Sequence, residues 1–306
     1  ALPWSLEKSN AWHDSPAWGA GLALLAALGF SLKAIFVKLA YPYGVDAITL
    51  LALRMGFALP IFLWVGLAEH RRARNRLTGG DWGRLFVLGF LGYYGASILD
   101  FRGLEYISAG LERLILFTYP TLTILIGVLF QGKPFSKREA VAVVLCYIGI
   151  GFAFMHDLGL GDAKDVWVGS ALVFASSVSY ALYLSGSAPM IARLGAMRFS
   201  ALAMLMSSAV TLLHFSSVHP LTAFIQPLPV YGWGLAMALF ATVVPVFAQS
   251  AAIRRVGAGR ASLFAMVGPL LTIGFGWWLL NESISVAQMA GAVLVVAGIL
   301  IVSRRS

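Results

Sequence analysis

Five charged side chains stand inside otherwise apolar stretches of the sequence, which makes them the first candidates for chemistry. A charge in such surroundings is costly, so it usually has a binding, gating or proton-carrying role. One interpretation is a site for a polar group, in which either acidic residue could carry a proton. The other is a structural ion-pair network whose long basic side chains reach toward water. The five residues are Lys33, Arg54, Asp100, Glu112 and Arg113.

Aromatic side chains gather in the same kind of stretch. A tyrosine combines an apolar ring with a hydroxyl, so several together suit a ligand that has both a ring and polar parts. Ordinary core packing is the alternative for each residue taken singly. An amide, Gln249, and a cation, Lys33, could bind the polar part of such a ligand. The predicted ligand contacts are Tyr94, Phe117, Tyr119, Tyr180, Tyr183, Gln249 and Lys33.

Pro120 and Pro269 lie in the middle of two long apolar stretches. Proline lacks a backbone donor and frees the carbonyl one turn before it, so each residue should kink a helix and expose polar backbone. The functional interpretation is that the two kinks shape a central cavity and act as pivots, and the alternative is packing alone.

Several other functional classes find no support in the residue pattern. The segment GVLFQGKP (127–134) resembles a phosphate loop but lacks the following Ser or Thr, which argues against nucleotide hydrolysis. The five histidines have no ligand spacing, and Cys146 is the single cysteine, so neither a metal centre nor a disulfide is expected. We therefore predict no cofactor, no metal and no enzymatic activity.

The elements that must hold these residues are membrane-spanning helices. Hydrophobic residues make up 59% of the 306 and charged residues only 11%, which is typical of a chain embedded in lipid. Each span needs about 20 mostly apolar residues and must be helical. The predicted spans are 17–40, 46–68, 82–106, 108–131, 137–155, 167–190, 197–216, 230–253, 258–280 and 285–303.

The distribution of basic residues predicts how these spans are oriented. With the N-terminus inside, 16 of the 22 Lys and Arg fall at the cytoplasmic side and 4 at the outer side. Such a bias is the positive-inside rule, and it places both termini in the cytoplasm. It also explains the net charge of +9 without nucleic acid, which we exclude as a partner. Residues 1–16 are polar, lack a signal-peptide pattern and are predicted to be a cytoplasmic segment.

The chain contains an internal repeat with a constant offset of 149 residues. The offset aligns Trp18 with Trp167 and Pro120 with Pro269 without a gap. Five spans per repeat is an odd number, so the second half must enter the membrane from the opposite side. We predict a first repeat at 17–156, a periplasmic linker at 157–166 and an inverted second repeat at 167–303. The five charged residues have no charged counterpart in the second half.

Motifs in both halves resemble the drug/metabolite transporter superfamily in its bacterial ten-span EamA-type form. The similar segments are GFSLKAIFVKLA, ITLLALRMGFALP and the two stretches around YPTLTILIGVLF and VGPLLTIGFGWW. The family's Asn-Glu turn is present as Asn281-Glu282, whereas the first half has Gly132-Lys133. The resemblance implies transport of metabolites such as amino acids, purines or drugs. It also implies that Arg54 is structural, and that Phe117 and Tyr119 help line the pocket.

The prediction is an all-α membrane protein with ten helices in two inverted repeats, located in the bacterial inner membrane. Its expected function is alternating-access transport of a small organic metabolite, with export of an amino acid, including aromatic ones, as the first hypothesis. Proton coupling through Asp100 or Glu112 is one form of this hypothesis, and Arg54 and Arg113 complete the group assigned to gating or coupling. The alternatives are a membrane channel or facilitator and, less favoured, an integral membrane enzyme.

Overall fold

Helices make up nearly all of the chain in a computed structural model, which describes residues 16–73, 75–132, 134–256, 261 and 264–303. The predicted cytoplasmic segment therefore lies outside the described residues, apart from Pro16. In chain order the α-helices are α1 Pro16–Ala40, α2 Ala47–Arg72, α3 Gly79–Gly89, α4 Ala96–Gly103, α5 Ala109–Leu116, α6 Tyr119–Gln131, α7 Lys137–Leu158, α8 Ala163–Leu194, α9 Ala196–Val218, α10 Leu228–Ala238, α11 Val244–Val256, α12 Gly268–Leu280 and α13 Val286–Ser303.

Seven helical stretches of the described residues are long and apolar enough to cross a membrane. Two more, Gly268–Leu280 and Val286–Ile301, are apolar but shorter. The stretch from α3 to α4, where a span was predicted, is not among these nine. A multi-pass helical membrane protein is the architecture that these helices describe.

Capping residues decide where the helices begin and end. Asp46 accepts hydrogen bonds from the backbone N–H groups of Ile48 and Thr49 at the start of α2. Thr78 with Asp81 forms a capping box at the start of α3. Such caps satisfy the free donors of a first turn. Some helices are longer than the predicted apolar spans, as α8 is at both ends of the predicted span 167–190. The reason is that polar residues can continue a helix beyond the apolar part of the membrane.

Two predicted spans contain π-helical turns in the described structure. Phe90–Gly95 joins α3 to α4, and Leu239–Val243 joins α10 to α11. The starting residues of these turns are 149 positions apart, the same offset as the repeat in the sequence. A π-helical turn holds one residue more than an α-helical turn, so it changes which side chains face the neighbouring helices.

The two predicted prolines start helices instead of kinking them. The helix of the fourth predicted span ends at Leu116, and a new helix, α6, begins at Tyr119 with Pro120 in its first turn. Pro269 occupies the same place in α12. Proline fits this position because the first turn of a helix leaves its N–H groups unbonded in any case. The two prolines thus lie directly after short interruptions of the helix, within one continuous apolar stretch in the case of Pro120.

Helices α7 and α13 pack closely through small residues. A Cβ at Gly149 would lie 2.5 Å from the Gly291 carbonyl oxygen, and one at Gly298 would lie 2.8 Å from that of Ala142. These two contacts are exchanged by the 149-residue offset. Between them the Cys146 thiol faces the carbonyl of Val295, its own counterpart, at 3.7 Å. The contacts of α7 with α13 are therefore related to one another by the offset of the sequence repeat.

The remaining helix pairs follow the same reciprocal pattern. Helix α1 packs on α11 and α12, while α8 packs on α4 and α6, and α2 packs on α9. The loops predicted to be outer contact one another through polar groups. In one such contact, Nε2 of His219 lies 3.3 Å from Oδ1 of Asp46. The loops predicted to be inner are joined through Asn75, which bonds to Arg193 and Arg198.

Candidate functional site

A cavity of about 390 Å³ lies at the centre of the helix bundle. Its wall includes residues of α1, α4, α5, α6, α8 and α11 and of both π-helical turns, as predicted for spans one, three, four, six and eight. The ninth span contributes Ala265, and Arg54 of α2 and Ser200 of α9 add two helices that were not predicted. Eight of the predicted residues line it: Lys33, Arg54, Arg113, Phe117, Tyr119, Tyr180, Tyr183 and Gln249.

Aromatic rings form one continuous side of this cavity. The ring of Tyr180 meets Tyr119 edge-on at 5.1 Å between centroids and lies 5.5 Å from the ring of Tyr183. Phe117 extends the row beyond Tyr119 at 5.9 Å. The rings come from two different helical stretches, α8 and the break before α6. They provide an apolar surface with hydroxyl groups at its edges, which is suited to a ring-bearing ligand.

The third predicted span presents Tyr93, and not Tyr94, to the cavity. The Tyr93 hydroxyl is hydrogen-bonded to that of Tyr183 at 3.1 Å. Tyr94 points to α9, where its hydroxyl bonds to Nδ1 of His214 at 2.9 Å. Both tyrosines lie in the π-helical turn, whose wider spacing departs from the regular helix assumed for the sequence. Tyr93 was therefore missed as a contact, and Tyr94 lies outside the lining.

The predicted ionic cluster is assembled around Lys33. Its Nζ lies 2.5 Å from Oδ2 of Asp100 and 3.5 Å from Oε1 of Glu112. Asp100 is 1% exposed and Glu112 is fully buried. The two carboxylates come from α4 and α5, so Lys33 of α1 holds three helices together. Lys33 lines the cavity, whereas both carboxylates lie behind it.

Arg54 is held by neutral partners and not by a carboxylate. Its Nε donates to Oγ1 of Thr242 at 2.8 Å, and its Nη1 donates to Oγ of Ser97 at 3.3 Å. The guanidinium also lies over the ring of Phe101 at 5.6 Å. Thr242 belongs to the second π-helical turn, so Arg54 connects the two halves of the chain.

Arg113 is buried and has few polar partners. Its Nη1 donates to the carbonyl of Phe30 at 3.3 Å, and the guanidinium covers the ring of Phe117 at 4.8 Å. Its Nε is buried without a hydrogen-bond partner among the described residues. Other atoms of Arg113 line the cavity, so its guanidinium is a cation that a ligand there could approach.

Serines of neighbouring helices bind the backbone at both helix breaks. The missing N–H of Pro120 frees the carbonyl of Leu116, which accepts a hydrogen bond from Oγ of Ser177 at 3.3 Å. At the second break, Oγ of Ser31 donates to the carbonyl of Gly268 at 3.2 Å. A serine of α8 thus binds the carbonyl freed at the first break, and a serine of α1 binds the backbone at the start of α12.

The cavity is closed at the predicted outer end. The Glu282 carboxylate accepts a hydrogen bond from the backbone N–H of Ala109 at 2.9 Å, and Asp157 binds both the N–H and the hydroxyl of Ser108 at 2.9 Å. Because burial outweighs these interactions, the pKa of Glu282, which lies in a loop, is raised. The sequence singled out Glu282 only as a family turn, and no local pattern indicated that it caps a helix of the other half.

At the opposite end the cavity reaches the predicted inner loops. Its lining extends from Lys33 and Arg113 to Ile191, Ala196 and Ile253, which lie near the inner ends of their helices. No lining residue belongs to the predicted outer loops, all of which the structure describes. No group of three potential metal ligands occurs in the part of the chain that the structure covers.

The comparison with protein families matches both halves of the chain separately. The model of the EamA-like transporter family matches residues 17–155 and again residues 167–304. The chain belongs to the EamA-like transporter family. This agrees with the motifs of the sequence, which placed it in the EamA-type group of the drug/metabolite transporter superfamily.

Relatives of this EamA-like transporter include bacterial and archaeal proteins. The uncharacterized transporter YcbK of Bacillus subtilis is 28% identical over 88% of this chain and 87% of its own length. An uncharacterized transporter of Archaeoglobus fulgidus is 23% identical over 76% and 81%. A solved crystal structure of a protein shares the fold, with a TM-score of 0.64, 18% identity and coverage of 94% of this chain and 99% of its own. The chain is thus a multi-pass membrane transporter.

Proposed function

We propose that this chain is a secondary transporter that moves a small organic metabolite across the bacterial inner membrane by alternating access. The observation that carries the proposal is the central cavity, whose wall combines residues from both family-matched halves. Transporters of this type place the substrate near the midplane between two repeats. The cavity also contains aromatic and charged groups that a ligand could contact.

Ten spans in two inverted five-helix repeats form the proposed architecture, with the repeats at 17–156 and 167–303 and the linker 157–166 at the periplasmic side. The two π-helical turns and the two proline breaks, both 149 residues apart, support it. The reciprocal packing of α7 on α13 adds a pseudo-two-fold axis. The excess of Lys and Arg at one side supports cytoplasmic termini, although Lys8, Arg74, Lys133, Arg260, Arg304 and Arg305 lie outside the described residues.

The shape of the cavity corresponds to an inward-facing state. Glu282 and Asp157 close the outer end by capping the α5 helix, and the ion pairs of Lys33 form a second layer below them. The lining continues to the inner ends of α8 and α11. A substrate would enter such a state from the cytoplasm, which supports export as the direction of transport.

The substrate proposed first is an amino acid with an aromatic side chain. The row of Phe117, Tyr119, Tyr180 and Tyr183 provides a surface for the ring, and Arg113 provides a cation for a carboxylate. In the coupled form of the proposal, Asp100 or Glu112 carries a proton. Both acids share the single amine of Lys33, so protonation of one would loosen the layer that closes the outer end.

Flux into proteoliposomes tests the proposal. Purified protein would be reconstituted and offered labelled amino acids, purines and cationic drugs, with and without a pH gradient. We expect saturable flux of one class. Tyr119→Ala should reduce it at least tenfold because the ring lines the cavity, whereas Tyr147→Ala, which removes a partly exposed tyrosine of α7, should leave it unchanged.

Coupling is tested in the same vesicles with Asp100→Asn. Loss of the dependence on the pH gradient, with Asp165→Asn as the exposed control, would support proton coupling. Unchanged dependence would assign the coupling to another group, and flux without any dependence on the gradient in the unmodified protein would favour a facilitator. Ion currents of single-channel size would contradict a carrier in favour of a channel, and chemical turnover of a panel member would favour an enzyme.

A further inference from the structure

The charged residues of the cavity wall are all cations. They are Lys33, Arg54 and Arg113, and no carboxylate lines the cavity among the residues that the structure describes. The acidic partners of Lys33, Asp100 and Glu112, lie behind the wall. Neither arginine forms an ion pair within the described part of the chain. The wall therefore presents positive charge to a ligand, while the acidic groups that offset part of it lie behind the wall.

The charges of the cluster do not cancel. The three cations face two carboxylates, which leaves one positive charge when both acids are ionised. An unbalanced charge in a low-dielectric interior is costly, so a ligand that supplies one negative charge is favoured. A zwitterion supplies none in total, and its ammonium group would find no carboxylate on the wall. A cation would increase the imbalance.

Arg113 is the group best placed to bind the negative charge. It is only 6% exposed, its Nε has no partner among the described residues, and it lines the cavity. A guanidinium forms short charge-assisted hydrogen bonds with a carboxylate, often two at once. Because its face already covers Phe117, the rings of Tyr119 and Tyr180 continue the apolar surface away from it.

We propose that the substrate of the carrier is a small aromatic monocarboxylate, bound through its carboxylate by Arg113 and through its ring by the tyrosines. An ammonium group is not needed for recognition. This inference rests on the proposed transport function, and it replaces the zwitterionic amino acid by an analogue that keeps only the parts the wall can bind. Deaminated analogues of aromatic amino acids belong to this class.

Three probes that share a phenylethyl unit test the inference. 3-Phenylpropionate has the ring and the carboxylate, L-phenylalanine adds the ammonium group, and 2-phenylethylamine keeps only the ring and the ammonium group. Their affinities would be measured by isothermal titration calorimetry on the full chain, purified in detergent at neutral pH. We expect 3-phenylpropionate to bind at least as tightly as L-phenylalanine and at least tenfold more tightly than 2-phenylethylamine.

Variants of the arginine identify the binding group. Arg113→Gln should weaken 3-phenylpropionate binding at least tenfold and leave 2-phenylethylamine binding unchanged, and Arg113→Lys should restore part of the affinity. Arg102→Gln is the matched control because that side chain is 42% exposed and pairs with Glu105 outside the cavity. Size-exclusion chromatography would verify that each variant is monodisperse. A variant that aggregates would leave the probe series on the native chain as the deciding measurement.

The outcomes separate this inference from the proposed function. Tighter binding of the amine, loss of less than twofold in Arg113→Gln, or no binding of any probe by monodisperse protein would each overturn the monocarboxylate class. Flux of a different solute class in proteoliposomes would then still support a carrier. Conversely, Arg113-dependent binding of 3-phenylpropionate without flux of any solute would contradict the carrier and retain the anion site.

Discussion

Tyr93 and Tyr94 are neighbours in the chain that face different surroundings. Tyr93 lines the cavity and is bonded to Tyr183, whereas Tyr94 is bonded to His214 of α9. The difference arises because both residues lie in a π-helical turn, where an extra residue changes the direction of the side chains. At the scale of single residues, the hydroxyl that can influence a ligand is therefore that of Tyr93.

The removal of one hydroxyl at a time tests this assignment. Tyr93→Phe should weaken binding of the transported solute about three- to tenfold, because a hydrogen bond is worth roughly 0.5–1.5 kcal/mol and this one orients the Tyr183 ring. Tyr94→Phe is the matched control and should leave the affinity unchanged. Calorimetric titration of both variants provides the measurement. A larger effect in Tyr94→Phe would instead place His214 and its partner in the binding path.

Residue types predicted part of the candidate site. The charges in apolar stretches indicated Lys33, Arg54 and Arg113, because a charged side chain inside a membrane is costly and usually has a function. The sequence could not predict that Asp100 and Glu112 lie behind the wall, since that depends on how α1, α4 and α5 rotate against one another. The cap that Glu282 forms on α5 was hidden for a similar reason, because the two residues it joins are 173 positions apart.

At the scale of helices, hydropathy predicted where most elements lie but not how they are interrupted. The apolar stretches correspond to helices because a helix is the structure that satisfies its own backbone in lipid. The π-helical turns leave no comparable trace in composition. The prolines were recognised, and with Ser177 available to bind the carbonyl of Leu116, a short interruption of the helix before Pro120 is tolerated.

The close crossing of α7 and α13 depends on the absence of side chains at Gly149 and Gly291. Gly149→Leu should lower the free energy of unfolding by about 1–3 kcal/mol, because any side chain there would meet the Gly291 backbone. Gly151→Leu on the same helix is the control, since it has no atom within 4 Å of its added Cβ. Thermal unfolding of both variants in detergent provides the comparison. Equal melting temperatures would show that the two helices can separate without cost.

At the scale of the whole molecule, the proposed orientation assigns a side of the membrane to every loop. In a Cys146→Ala background, we expect a membrane-impermeant maleimide added to intact cells to label Thr222→Cys. Arg72→Cys, which replaces a side chain that is 80% exposed, should react only after the cells are permeabilised. Labelling in the reverse pattern would place both termini outside and invert the direction inferred from the cavity.

If the chain works by the proposed alternating access with both acids ionised, the single uncompensated positive charge of the cavity wall has an electrical consequence. When the cavity opens inward, water carries the cytoplasmic potential up to Lys33 and Arg113; if it opened outward, the same residues would experience the external potential. A charge transferred between these potentials changes its energy by about 2.3 kcal/mol per 100 mV. A membrane potential that is negative inside therefore stabilises the inward-facing state of the empty carrier, which binds substrate from the cytoplasm. A bound monocarboxylate cancels the charge, so the membrane potential no longer shifts the equilibrium between the two states of the loaded carrier.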